Sequence, residues 1–317
     1  MRDDPGRASE GNVASHEMLW LLGQPHLADY LDFVKHEVVG GAALRPQILA
    51  DEWRAANEVY YELEEAEGGI ADGIECSPLD PALDPLVAEL MACSAYRNTF
   101  DILPMSVEMV ELDRLIVSQT FIAGGYSERR AATLGTAPTA QELFRHCLPV
   151  ERSAPPVTVE RSDTGIYRIS SPSTDLRFQE PRPFAEAEAA LSPSSFGEIA
   201  AIIGTIVGFG SNFLTAIRSD TRLLLHNGYH RAWSLRARGI THAPCLVETV
   251  TRKDELRIAA TDAVSDDPAF YFRAARPPML RDFFDPRLTR RFQVQPKRTV
   301  VEVEIKVRKL SSVQVAK

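Results

Sequence analysis

The stretch 223–236, Leu-Leu-Leu-His-Asn-Gly-Tyr-His-Arg-Ala-Trp-Ser-Leu-Arg, constrains the fold more than any other part of the chain. An apolar strand runs into a turn at Gly228, and a helix opens at once. The first N–H groups of a helix lack intrahelical acceptors, and the helix dipole favours anions there. With His230 and Arg231 in that first turn, the unit is a candidate pocket for a phosphate or a carboxylate.

The segments before it carry helical and then extended patterns. Leu27, Tyr30, Leu31, Val34 and Val38 recur at three- and four-residue spacing, one face of a helix that Gly40-Gly41 stops. Pro46 opens a longer helix with Trp53, Ala56, Tyr60 and Leu63 as its inner stripe and Gly68-Gly69 at its end. Its outer face carries Asp51, Glu52, Glu58, Glu62, Glu64, Glu65 and Glu67 against Arg54 alone. Such a face serves a metal site, a basic partner or simply solvent, and charge runs favour solvent. After a proline connector, a third helix turns Leu86, Val87, Leu90 and Met91 inward. These helices make 14–103 a helical N-terminal unit behind a polar, disordered 1–13.

Beyond Pro104 the period changes. A strand near 106–112, a turn at Asp113-Arg114 and a second apolar piece ending at Ser118-Gln119 follow. Residues 126–150 read as helical and connecting structure. Val157-Thr158-Val159 and Ile166-Tyr167-Arg168-Ile169, separated by Asp163-Thr164-Gly165, read as a hairpin, with Leu176-Arg177-Phe178 as a third strand. Ser192 to Ser195 offers N-cap chemistry ahead of the apolar run 199–209. Gly208-Phe209-Gly210-Ser211 is a glycine loop before a short helix over 212–218, and it lacks the lysine of a Walker loop. After the central unit, Gly239 stops the helix and Pro244-Cys245-Leu246-Val247 begins another strand. Residues 299–308 alternate Val301, Val303, Ile305 and Val307 with Glu302, Glu304, Lys306 and Arg308, which predicts a half-buried closing strand.

Composition narrows the function classes. A net charge of −9 argues against a protein that coats nucleic acid by bulk electrostatics. The four cysteines are scattered without a CxxC pair, so neither a disulfide framework nor a zinc site is expected. The chain opens without a basic-then-apolar leader, and its longest apolar run is too short to span a bilayer. A cytoplasmic protein without membrane contact is the expectation; homo-oligomerisation is left open.

The order strand, Asn227-Gly228-Tyr229-His230-Arg231, helix, Gly239, Pro244-Cys245-Leu246-Val247 resembles the core of the ParB/sulfiredoxin superfamily. Val107 to Gln119 matches its earlier strand, which ends near a glutamine. The resemblance covers 106–122 and 203–250. It implies an α+β protein with a ParB/sulfiredoxin-like mixed core over 104–260, a β-containing insertion at about 126–200 and a C-terminal segment over 261–317. It also implies that Gly228, His230 and Arg231 hold the phosphates of a nucleotide or a small phosphorylated ligand, with Mg²⁺ bridging them; Gln119, Asn227 and Tyr229 complete the candidate site, and Asn227 alternatively serves the turn alone. Sulfiredoxins carry a cysteine nucleophile where Tyr229 stands, so sulfinic-acid reduction is not expected. Partition-type ParB proteins carry a glutamate there and an arginine in place of His230. No helix-turn-helix or dimerisation helix follows the core, so chromosome partition is not implied either. Free-serine kinases share the fold, which leaves NTPase or phosphotransferase activity as the enzymatic reading.

Several residues stand beside that set. Ser118 lines the same pocket if the fold analogy holds. Glu111, Asp113 and Asp220 are the carboxylates nearest the core segments, as base or Mg²⁺ ligand, and spacing selects none of them. Arg231 has a structural alternative, pairing with a carboxylate such as Asp220. Tyr229 and Trp233 are expected to face one the core and one the pocket. The stretch 273–291 holds six arginines and two aspartates. Arg281, Arg287, Arg290 and Arg291 make a non-enzymatic nucleic-acid-binding or assembly surface the rival function, with Phe283 or Phe284 for stacking. Pairing of these arginines with the acidic 51–67 helix of the same molecule is the reading a net-acidic chain favours.

Overall fold

The structure, a computed structural model, describes residues 15–306 except 25, 101, 126, 128–131, 133, 136, 152–153, 163–164, 179–180 and 185–201. It has the α+β character expected, with helices and mixed sheets. Two compact units divide the chain, the first from Met1–Glu151 and Ser211–Pro296, the second from Arg152–Gly210 and Lys297–Lys317. The expected insertion thus shifts to 152–210 and takes the C-terminal residues with it.

Strands are numbered in chain order. The first are β1 (His16–Leu21), β2 (Cys76–Pro78), β3 (Met105–Glu111), β4 (Ile116–Val117) and β5 (Phe121–Ala123). The second unit contributes β6 (Thr158–Arg161), β7 (Ile166–Ser171), β8 (Leu176–Phe178), β9 (Arg182–Phe184), β10 (Ile202–Gly204) and β11 (Val207–Phe209). The first unit resumes with β12 (Thr215–Ser219), β13 (Arg222–Asn227), β14 (His242–Val250) and β15 (Thr289–Val294), and β16 (Thr299–Glu304) returns to the second.

The first unit is built on a six-stranded sheet of order β2-β3-β14-β12-β13-β4. Central β14 is antiparallel to β3 and parallel to β12, while β13 is antiparallel to β12 and parallel to β4. Ala243, Cys245, Leu246 and Val247 are buried, as are Leu223, Leu224 and Leu225. Such continuous apolar runs suit strands covered on both faces. A smaller antiparallel sheet, β15-β1-β5, takes the helices Leu27–Glu37 and Pro46–Glu67 on its flank. Trp20 stacks on Phe33 at 3.9 Å, and Phe33 meets Phe292 edge-on at 5.7 Å.

Several expectations are corrected by this arrangement. Residues 14–103 are no separate helical unit, because β1 is the middle strand of the small sheet and β2 an edge of the large one. Met91 of the helix Asp84–Ala92 is exposed rather than inward. Residues 215–219 form strand β12 rather than part of a helix, since Thr215, Ala216 and Ile217 are buried between β13 and β14. The C-terminal strand alternates as expected, but it closes the second unit and not the core: Val301 lies opposite Ile169 and Val303 opposite Tyr167 of β7. The hairpin β6–β7 forms as expected, and β8 pairs instead with β11. The expectations for 1–13, 192–195 and 307–308 lie outside the described residues.

Among the described residues no helix is long and apolar enough to cross a membrane. All four cysteines are free.

One polar cluster ties the large sheet together. Arg218 of β12 reaches Glu108 of β3 through two nitrogens, at 2.9 and 2.6 Å, and the Ser106 hydroxyl donates to the same carboxylate at 2.6 Å. The Arg218 guanidinium holds the Glu108 carboxyl below its ordinary range. A depressed acid contributes stability above its unfolded pKa and loses it as pH falls through the folded value. Urea midpoints of the native chain are therefore expected to fall below about pH 4.3. The Glu108→Gln variant should show a shallower fall over that window. An identical pH profile in the variant would show that the pair carries no acid-linked stability.

Candidate functional site

Because β4 runs parallel to β13, both deliver their carboxyl ends to the same edge of the sheet. Residues 118–120 leave β4 there, and Asn227 and Gly228 leave β13 into the helix Tyr229–Ala237. That edge is where open α/β sheets place their ligands. Gly228 has φ +90°, and a Cβ would lie 2.9 Å from Leu214 Cδ1 and 3.1 Å from Leu214 Cα. Both the left-handed backbone and the close approach require glycine. Asn227 sets the turn: its Oδ1 accepts from the Gly228 N–H at 2.8 Å and its Nδ2 donates to the Ser211 carbonyl at 2.5 Å.

The structure brings Ser118 and Tyr229 together. Tyr229 is buried, and its hydroxyl donates to the Leu225 carbonyl. The same oxygen accepts from the Ser118 N–H at 3.2 Å and lies 2.9 Å from Ser118 Oγ. Burial pushes the phenol pKa up, so the ring stays neutral near pH 7. Gln119 donates its side-chain N–H to the Phe121 carbonyl at 2.6 Å. The cavity left beside Ser118, Gln119 and Tyr271 is about 20 Å³. That is room for a water molecule.

His230 is half-buried on the first turn. Its Nδ1 accepts from the Ala123 N–H at 3.3 Å, which places the proton of the neutral ring on Nε2. Of the predicted phosphate ligands, it is the one titratable side chain that is not fully buried.

Arg231 is a correction. Expected to face a phosphate, it is 2% exposed and turned inward, donating to the Cys147 carbonyl and to Asn212 Oδ1, each at 3.2 Å. Residues 231–235 are all buried, so this side chain has no path to solvent from the inner face of its helix. The alternative pairing with Asp220 does not form either; Asp220 is an exposed residue at φ +52° in the β12–β13 turn. Trp233 is buried like Tyr229, stacked on Phe284 at 5.7 Å, so neither aromatic faces an open pocket.

Two of the three candidate carboxylates are engaged. Glu111 pairs with Arg114 at 2.6 Å, and Asp113 pairs with Arg236. Among the described residues no group of three His, Cys, Asp or Glu side chains is placed to hold a metal ion.

The arginine-rich stretch meets the acidic helix of its own chain. Arg281 pairs with Glu67 at 2.9 Å, Arg287 with Asp285 at 2.7 Å and Glu62 at 3.7 Å, Arg290 with Glu52, and Arg291 with Glu17. Beneath them lies an ion pair that composition did not single out. Arg276 grips Asp282 through two nitrogens at 2.5 and 2.7 Å, and Glu67 at 3.0 Å. The side chains of Arg276 and Asp282 are 1% and 2% exposed. The available signal was the charged pair Arg281-Asp282 set among Met279, Leu280, Phe283 and Phe284, two charges in an otherwise apolar run.

Comparisons with models of protein families, with curated proteins and with solved structures give no significant match.

Proposed function

We propose that the protein has a ParB/sulfiredoxin-like core and binds a nucleotide or small phosphorylated ligand at the edge where β4 and β13 end. One observation carries the reading: a glycine that only glycine can replace starts a helix at the carboxyl end of a buried strand, beside a parallel neighbour. Phosphates would lie against the first-turn N–H groups and the His230 imidazole, with Asn227 and Gln119 at the margin. Arg231 acts from inside, fixing the helix relative to 147 and 212. The chain offers no carboxylate set for Mg²⁺ at this edge among its described residues, so the ion would arrive on the nucleotide's own phosphates and waters. With Glu111 and Asp113 ion-paired, binding is proposed and no catalytic base is assigned.

The nucleic-acid reading of Arg281, Arg287, Arg290 and Arg291 is less favoured, because each has an internal carboxylate partner that cancels the field a polyanion needs. Thermal melting with ATP, CTP, GTP or ADP and Mg²⁺ tests the proposal. At about 100 times Kd, a ligand adds roughly 2.7 kcal/mol to stability. One nucleotide should raise the melting temperature of the native chain, and His230→Ala should abolish the shift while leaving the unliganded melt near native. No shift with any of the four, or a shift unchanged in His230→Ala, would refute it.

A further inference from the structure

A second place in the first unit has the size and chemistry of a ligand site. A groove of about 440 Å³ is lined by Leu19, Phe283, Phe284, Thr289, Arg290 and Arg291. Small-molecule sites run from about 300 to 1,000 Å³, apolar with a few placed polar groups. Leu19 and Phe283 are buried and give it an apolar floor. Phe284 is held by two neighbours: Trp233 stacks on it nearly parallel, at 11°, and the Arg236 guanidinium lies 5.3 Å from its ring centre. A fixed aromatic wall loses little freedom when a flat ligand settles on it.

The two arginines differ in exposure, while each spends one guanidinium nitrogen on its carboxylate. Arg290 is bound to Glu52 and lies 4.8 Å from the Phe292 ring centre. Arg291 is 57% exposed, and its pair with Glu17 uses one guanidinium nitrogen. A guanidinium has five N–H donors in a planar fork that matches carboxylate, sulfonate or phosphate oxygens. The groove therefore pairs an apolar floor and a fixed aromatic wall with one well-exposed cation, Arg291, that has spare donors.

We propose that this groove binds a small amphipathic anion: a flat aromatic body on Phe284 and an acidic group on Arg291. Glu17 is then an internal competitor, occupying part of the guanidinium that the ligand engages. The site rests on observations separate from the phosphate reading and does not require it.

Fluorescence titration of the full chain with 8-anilinonaphthalene-1-sulfonate tests the proposal, since that dye joins an aromatic body to a sulfonate. Saturable binding at one site with a blue-shifted emission is expected. Arg291→Ala should weaken it at least tenfold, whereas Glu17→Gln should tighten it several-fold by releasing the guanidinium. His230→Ala should leave it unchanged, which separates this site from the phosphate edge. Near-UV circular dichroism of each variant checks that the dye reports a folded protein. Affinity indifferent to Arg291→Ala, or weakened by Glu17→Gln in a folded variant, overturns the proposal. So does dye displacement by a single-stranded oligonucleotide with a steep salt dependence that requires Arg287, which would give the arginines to nucleic acid.

Discussion

Replacing Arg231 by alanine is expected to lower the unfolding free energy by about 3–4 kcal/mol. The loss combines unmade hydrogen bonds with the cavity left by a large buried side chain. For a unit of this size, that corresponds to a fall of roughly 6–16 °C in melting temperature. Arg231 is the largest fully buried side chain among the described residues and links the motif helix to the Cys147 carbonyl and the Asn212 amide. A lysine at 231 lacks the planar fork needed to serve both acceptors and should recover little of the loss. Urea unfolding measures the effect directly. If Arg231→Ala unfolds at the native midpoint, the buried placement of this side chain is not what anchors the helix.

Arg276→Ala should be at least as damaging, with about 3–5 kcal/mol lost, because it leaves the Asp282 carboxylate buried and unpaired. Asp282 also accepts the Met279 N–H at 2.8 Å, and the Tyr60 hydroxyl lies 3.4 Å from it, so one arginine holds a corner in which several chain segments meet. The cost is that of an orphaned charge rather than the net worth of the pair. Arg276→Met combined with Asp282→Leu should accordingly be more stable than either single change. A double variant no better than the singles, compared by urea midpoints, would show that hydrogen-bond geometry and not charge dominates the corner.

Much of the framework was legible because it has a period or a stop signal. Pro46 and Gly68 bracket the long helix, β3 and β4 fall where the β-prone clusters do, and the alternation at 299–304 is a strand. β1 and β12 were not legible. Met18 to Leu22 and Leu214 to Ile217 are short apolar runs without periodicity, and such runs become helix or strand according to what lies beside them. For β1 that neighbour is β15, far along the chain; for β12 it is the pair β13 and β14. The candidate site divides in the same way. Local chemistry identified Gly228 and the turn made by Asn227, whereas the direction of Arg231 depends on which face of the helix the sheet covers. The ion pairs between 281–291 and the acidic helix were foreseeable from complementary charge, and those pairs are present.

The pairing of β1 with β15 has a consequence for synthesis of the chain. Leu19 sits opposite Arg291, so β1 leaves the ribosome roughly 270 residues ahead of its partner. Until then Met18, Leu19, Trp20 and Leu21, all buried in the finished protein, have an unfilled strand edge. A long wait of that kind slows folding and invites association with other chains. The nascent chain thus carries an apolar strand with an open edge until β15 has emerged, and the small sheet cannot close before then.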